Sequence, residues 1–172
     1  MQPATKEIRL SGHMAVVVQV DALEAMKALA AEEGGPGLVM LNVDSLTETI
    51  GLVPSNPCPL SISELRQTIS TNEPRFTFYR FEHEHAGHKS SPFLFFFTCP
   101  APSGVQAIRS RMLYPLMKRA AIEIAEQECG LVAEKRFEVE HPTELTENLV
   151  LEELYPSEDV QNVTKPAWGG VA

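Results

Sequence analysis

The stretch Phe93-Leu94-Phe95-Phe96-Phe97 decides the fold of this chain. Apolar side chains occupy every position in it, although successive residues of a β-strand point to opposite faces of a sheet. A strand with one solvated face alternates between apolar and polar residues, whereas a strand buried on both faces does not. We therefore predict a central strand that is covered by helices on each side.

The segments around this strand predict a mixed α/β fold. Short apolar runs predict further strands at 16–20, 38–43, 49–53, 75–82 and 131–140. Helical spacing and capping residues predict helices from Asp21 to the glycines at 34–37, over 61–70 from the Ser61 and Glu64 pair, over 103–129, and from Thr143 to near Tyr155. This order fits a central mixed β-sheet of about five to six strands sandwiched between α-helices.

The length of 172 residues suits one domain, and 44% hydrophobic with 22% charged residues is typical of a globular chain. We place the domain at 15–156, with an N-terminal extension or linker at 1–14 outside the core and a flexible C-terminal tail at 157–172. Gly12-His13-Met14 also resembles a cloning scar.

The composition excludes several classes of protein. No apolar run approaches the roughly 18 to 20 residues of a membrane span, and the start lacks the pattern of a signal peptide, so we expect an intracellular protein. Cys58, Cys99 and Cys129 are widely spaced, which indicates reduced thiols and neither disulfides nor a zinc site. The net charge of −9 argues against nucleic-acid binding.

The charges are unevenly distributed along the chain. Residues 86–122 contain no acid and five basic side chains, whereas residues 123–159 contain twelve acids and two basic residues. An acidic protein with one basic face steers an acidic partner to that face. We therefore expect the functional surface to lie in the basic segment.

The predicted long helix is unusual in length, since about 26 residues span about 40 Å. Its apolar stripe predicts core packing for the following residues: Ile108, Met112, Leu113, Leu116, Met117, Ala120, Ala121 and Ile124. Arg109 lies close to this stripe, and an unpaired arginine is rarely buried. Either its side chain extends to solvent at the edge of the stripe, or the first turns lie beyond the core and present Arg109, Arg111 and Met112 to a partner. Pro115 should kink the helix and separate these roles.

Other motifs favour binding over catalysis. His83, His85 and His88 contain metal-binding side chains, but a solvated hairpin tip explains them better because no fourth ligand accompanies them. No nucleophile elbow, P-loop, dinucleotide fingerprint or zinc-protease motif occurs. We predict that the protein is no enzyme and has no cofactor or metal site.

Four segments together resemble an actin-depolymerising factor homology domain, the ADF/cofilin-like fold, most closely the C-terminal such domain of the twinfilins. They are Glu73-Pro74-Arg75-Phe76-Thr77-Phe78-Tyr79, the strand 93–97, Ile108-Arg109-Ser110-Arg111-Met112-Leu113-Tyr114, and Glu144-Leu145-Thr146-Glu147. The resemblance covers about residues 15–156. It implies a cytoplasmic protein of the actin cytoskeleton that binds actin through Arg109, Arg111, Met112 and Lys118.

The same resemblance implies sequestration of actin monomers, with ADP-actin as the expected form, and a part in filament assembly or barbed-end capping. Filament binding in relatives uses basic residues on the hairpin and last helix, where this chain has Glu147, Glu152 and Glu153. Relatives bind capping protein and phosphoinositide through a basic tail cluster, which is absent after Lys165-Pro166. The alternative is an interaction domain of this fold that binds another cytoskeletal complex.

Overall fold

The protein is described by a computed structural model that covers residues 4–11, 14–32, 37–54, 58–100 and 105–156. Four predicted features lie outside these residues: the Gly34-Gly35-Pro36 segment, the start of the long helix at Ser103, the Gly12-His13 pair and the tail at 157–172. Within them, none of the helices combines the length and the apolarity that crossing a bilayer requires.

Within the described residues, nine strands form one large sheet and one small hairpin. The strands are β1 (Thr5–Arg9), β2 (Ala15–Gln19), β3 (Gly37–Val43), β4 (Thr49–Val53), β5 (Arg75–Arg80), β6 (His83–His85), β7 (His88–Ser90), β8 (Phe93–Thr98) and β9 (Lys135–Val139). The helices are α1 (Val20–Ala31), α2 (Ile62–Thr68), α3 (Val105–Cys129) and α4 (Glu147–Leu154), with a 3-10 turn at Pro142–Glu144.

The large sheet has the order β1-β2-β4-β3-β5-β8-β9. The pairs β2 with β4 and β8 with β9 are parallel, and the other neighbours are antiparallel. The predicted mixed α/β class is therefore confirmed, with strands 3 and 4 forming the expected hairpin. Strands 6 and 7 form a separate two-stranded hairpin, which turns at Ala86 and Gly87 with φ values of 54° and 80°.

The two faces of β8 pack into different cores, as its continuous apolar sequence predicts. Phe95 and Phe97 belong to the core beneath α1 and α3, whereas Leu94 and Phe96 belong to the core beneath α2 and α4. Aromatic rings continue this packing across the sheet, with a centroid distance of 5.0 Å between Phe96 and Phe137 of β9. The sheet is therefore covered by helices on both sides.

The segment 1–14, predicted to be an N-terminal extension or linker, contributes to the core through part of its described residues. Residues 5–9 form the edge strand β1 in antiparallel register with β2, and Ile8 and Leu10 are buried. The segment has one buried residue in a strand of otherwise exposed residues, so its sequence carries no clear apolar pattern. This extra strand raises the count to seven, above the five to six expected.

Several predicted helix boundaries shift by a few residues. Helix α1 begins at Val20, so Asp21 lies in its first turn and is not its N-cap. Ser61 caps α2 as predicted, because its hydroxyl accepts from the backbone N–H of Glu64 at 3.2 Å. Thr146 caps α4, whereas Thr143 lies in the preceding 3-10 turn.

Two buried polar side chains form hydrogen bonds that connect α1 and α3, the helices on one side of the sheet, to its strands. Arg80 of β5 donates to the carbonyl oxygen of Leu29 at 2.7 Å and to that of Glu32, at the C-terminus of α1. Tyr114 of α3 accepts from the backbone N–H of Val43 at 2.7 Å and donates to its carbonyl oxygen at 3.3 Å. These bonds hold α1 and α3 in place over the sheet.

We expect Tyr114→Phe to lower the free energy of unfolding by about 1 to 3 kcal/mol, because the buried polar groups of Val43 lose their hydroxyl partner. Urea denaturation measures the change. Tyr155→Phe is the comparison variant and should cost less, since Tyr155 is only half-buried and water can replace its hydroxyl as the partner of His83. Equal stability of Tyr114→Phe and the unmodified chain would contradict this account.

Candidate functional site

Helix α3 has a buried face and an exposed apolar face. The buried face packs into the core with Leu113, Tyr114, Met117, Ala120, Ala121 and Ile124. Ile108, Met112 and Leu116 are 64%, 69% and 71% exposed. The prediction of core packing is therefore wrong for Ile108 and Leu116. Met112 is also exposed, which agrees with the other interpretation, in which its side chain is presented to a partner.

Core packing was predicted for the exposed residues because the apolar stripe in the sequence combines residues from two adjacent faces of the helix. Ile108, Met112 and Leu116 follow each other at four-residue steps, which keeps them on one side of a helix that turns about 100° per residue. Leu113 and Met117 follow the same step one position later, on the buried side. Both sets look apolar in the sequence, and only the position of the sheet distinguishes them.

Arg109 lies on one edge of the exposed face. It lines a groove between α3 and the turn at residues 44–48, together with Ile108, Met112 and Leu116. Among the ion pairs of the described residues, none involves Arg109. Its guanidinium is exposed and available to a carboxylate from outside the chain.

Arg111 and Lys118 lie on the opposite edge, next to β9. The Arg111 guanidinium is 4.0 Å from the carboxylate of Glu140, and the Lys118 ammonium is 3.0 Å from that of Glu138. Both pairs are partly exposed, and exposed pairs contribute at most about 1 kcal/mol. The carboxylates of an acidic partner can therefore replace Glu140 and Glu138 as the partners of Arg111 and Lys118 with little loss of free energy.

The four predicted site residues therefore lie along one exposed surface. Its centre is apolar, with Met112 prominent, and its two edges carry Arg109 on one side and Arg111 with Lys118 on the other. We call this the α3 surface. It suits a partner that offers an apolar patch between carboxylates, because arginine pairs with carboxylates and methionine adapts to irregular apolar contacts.

Pro115 does not divide the helix into a binding half and a core half. Helix α3 is continuous from residue 105 to 129 with Pro115 inside it. Leu113 and Tyr114 are buried before the proline, and Leu116 is exposed after it. Buried and exposed residues are separated by the side of the helix on which they lie and not by their position before or after Pro115, because the sheet covers one side over most of the helix length.

Burial raises the pKa of all three cysteine thiols. Burial raises the pKa of the Cys99 thiol, although the nearby Arg111 lowers it, so the neutral thiol is favoured. Among the described residues, no three His, Cys, Asp or Glu side chains are placed to hold a metal ion.

The hairpin β6–β7 is attached to the end of α4 through its histidines. His83 Nε2 is 2.6 Å from the hydroxyl of Tyr155, and the ring of His85 stacks on that of Tyr155 with a centroid distance of 3.8 Å. Sequence reasoning identified the hairpin but missed this contact, because Tyr155 lies 70 residues away in sequence. His83 and His85 therefore have a structural role.

Comparison with known proteins defines the class of this fold. Residues 15–155 match the model of the family described as cofilin/tropomyosin-type actin-binding protein. The chain belongs to this family. The structure resembles Streptomyces griseoflavus cofilin with a TM-score of 0.63 and 15% identity, covering 81% of this chain and 97% of that one.

Within the family, similarity extends to the twinfilins. Twinfilin of Dictyostelium discoideum is 28% identical over 121 residues, which cover 67% of this chain and 36% of that protein. The structure of Eh twinfilin is similar with a TM-score of 0.57 and 14% identity, covering 81% of this chain and 98% of that one. The matched region spans about a third of the length of the Dictyostelium relative.

We expect Arg109→Ala and Arg111→Ala to change the free energy of unfolding by less than about 0.5 kcal/mol each, because both side chains are exposed. Arg80→Ala should cost about 2 kcal/mol or more, since it leaves buried carbonyl groups without their donor. Urea denaturation of the three variants tests this contrast. A large loss of stability in Arg109→Ala would show that the α3 surface serves the fold.

Proposed function

We propose that this chain is an actin-binding module of twinfilin type that binds and sequesters actin monomers through the α3 surface. The observation that carries the proposal is the exposed Met112 between Arg109 and Arg111 on a helix whose other face is fully used by the core. The action is recognition, with no covalent step. Membership of a family of actin-binding proteins supports actin as the partner.

The charge distribution supports a monomer-binding role over a filament-binding one. Glu147, Glu152 and Glu153 are exposed on α4, and Glu84 is exposed on the hairpin attached to it. This end of the molecule is acidic, whereas the α3 surface is basic. An acidic partner is therefore attracted to one surface and repelled from the other.

The similarity to a twinfilin further supports a role in filament assembly or barbed-end capping within the cytoplasmic actin cytoskeleton, with ADP-actin as the preferred monomer. Capping protein and phosphoinositide are weaker candidates as partners. They depend on the tail at 157–172, which lacks a basic cluster after Lys165 and Pro166.

We expect Arg109→Ala with Arg111→Ala to weaken binding of actin monomers by well over tenfold, because each charged contact contributes about 1.5 to 3 kcal/mol. Titration of fluorescently labelled monomeric actin measures the affinity. Arg9→Ala with Arg66→Ala is the charge-matched control, since Arg9 lies on the edge strand and Arg66 on α2 beneath the other face of the sheet. Unchanged affinity in the first double variant would contradict the proposal.

We expect the chain to stay in the supernatant when it is sedimented with actin filaments at concentrations that saturate monomers, because α4 is acidic. Glu152→Lys with Glu153→Lys should increase the pelleted fraction. If the amount of unmodified chain in the pellet rises with the concentration of actin filaments, the chain would instead have a filament-binding role. Pull-down of another cytoskeletal complex without any monomer binding would favour the alternative interaction domain.

A further inference from the structure

We propose that the turn at residues 44–48 forms a second wall of the binding surface and that Leu46 is one of its principal contacts. Leu46 and the exposed apolar side chains of α3 form a groove, which we call the turn–helix groove. Its occupant is an apolar projection of the actin monomer that is bordered by carboxylates. This inference rests on the proposed function and extends it to an element outside the long helix.

The groove has one wall from each element. The turn contributes Leu46 and Glu48, and the helix contributes Ile108, Met112 and Leu116. The open groove between them has a volume of about 580 Å³. Leu46 is 75% exposed, more than any of the three helix residues. Single exposed leucines are common on protein surfaces, but four large apolar side chains around one groove indicate a site of association.

The turn is held rigidly in the position that presents Leu46. The Asp44 carboxylate accepts from the backbone N–H of Leu46 at 2.8 Å and from that of Thr47 at 3.2 Å. The N–H of Glu48 donates to the carbonyl oxygen of Asp44 at 2.7 Å, and Glu48 has a left-handed φ of 55°. Such a turn loses little conformational entropy on binding, which favours affinity.

The fold itself does not explain an apolar residue at this position. The Leu46 side chain is largely in solvent, so burial in this chain contributes little to its stability. The hydrogen bonds of the turn come from Asp44 and from the backbone, and a polar residue at position 46 would keep all of them. A partner that covers Leu46 would gain the burial that this chain does not provide.

Charge and continuity indicate the occupant. The groove shares Arg109 and Met112 with the α3 surface, so one partner covers both. Arg109 on the helix wall attracts a carboxylate, whereas Glu48 on the turn wall repels one. The partner must therefore place its acidic border over the helix and its apolar projection between Leu46 and Leu116.

Replacing Leu46 with Ser in the full 172-residue chain should weaken binding of labelled actin monomers by at least about tenfold, because the serine buries much less apolar surface at the interface than the leucine does. Leu116→Ser should have a similar effect from the opposite wall. Leu60→Ser is the matched control, since Leu60 is 69% exposed before α2, outside the groove, and its variant should bind like the unmodified chain. Thermal unfolding of all three verifies that the fold is intact.

The outcomes separate this inference from the proposed function. If the unmodified chain binds no actin monomer, the proposed function and this inference both fail. If the chain binds, and Arg109→Ala with Arg111→Ala weakens binding while Leu46→Ser stays within twofold of the unmodified chain, the inference alone is overturned. Analytical ultracentrifugation that shows a dimer dissociated by Leu46→Ser would also overturn it, because a second copy would then fill the groove.

Discussion

Burial of the sheet on both faces is the constraint on which the rest of this structure depends. Strand β8 carries large apolar side chains at its first five positions, 93–97, so each face must be covered. Phe95 and Phe97 require α3 on one side, and Phe96 requires α2 and α4 on the other. The aromatic contacts extend from β8 through Phe76 to Tyr114, whose ring centroid is 5.2 Å from that of Phe76. The helix is thereby held in a defined rotation.

The rotation of α3 determines what the molecule can bind. Because Tyr114 and Met117 must face the sheet, Met112 must face solvent, since side chains on a helix are arranged at about 100° per residue. The basic residues then lie at the two edges of the exposed face. Arg111 and Lys118 on one edge pair with glutamates in and just after β9, and Arg109 on the other edge lines the groove between the helix and the turn. The binding surface is thus a consequence of core packing.

The limits of prediction follow from the same geometry. Arg109, Arg111, Met112 and Lys118 could be named in advance because the acid-free segment and the resemblance to a family both identify this helix. Leu46 could not be found in that way, because it lies alone in a polar turn more than 60 residues before Met112. The pairing of Arg111 and Lys118 with acids of β9 was equally hidden, since it depends on the parallel contact of β8 with β9. These features join segments that are distant in sequence.

The sequence by itself determined the mixed α/β class, most of the strands, the length of α3 and its basic character, because period, capping residues and charge are local properties. Only the tertiary structure decided that residues 5–9 complete the sheet, that Ile108 and Leu116 are exposed, and that Leu46 faces them across a groove. The physical reason is that burial depends on which neighbour covers a side chain. A periodic pattern shows that a helix has an apolar face, but the packed sheet decides which part of that face remains in water.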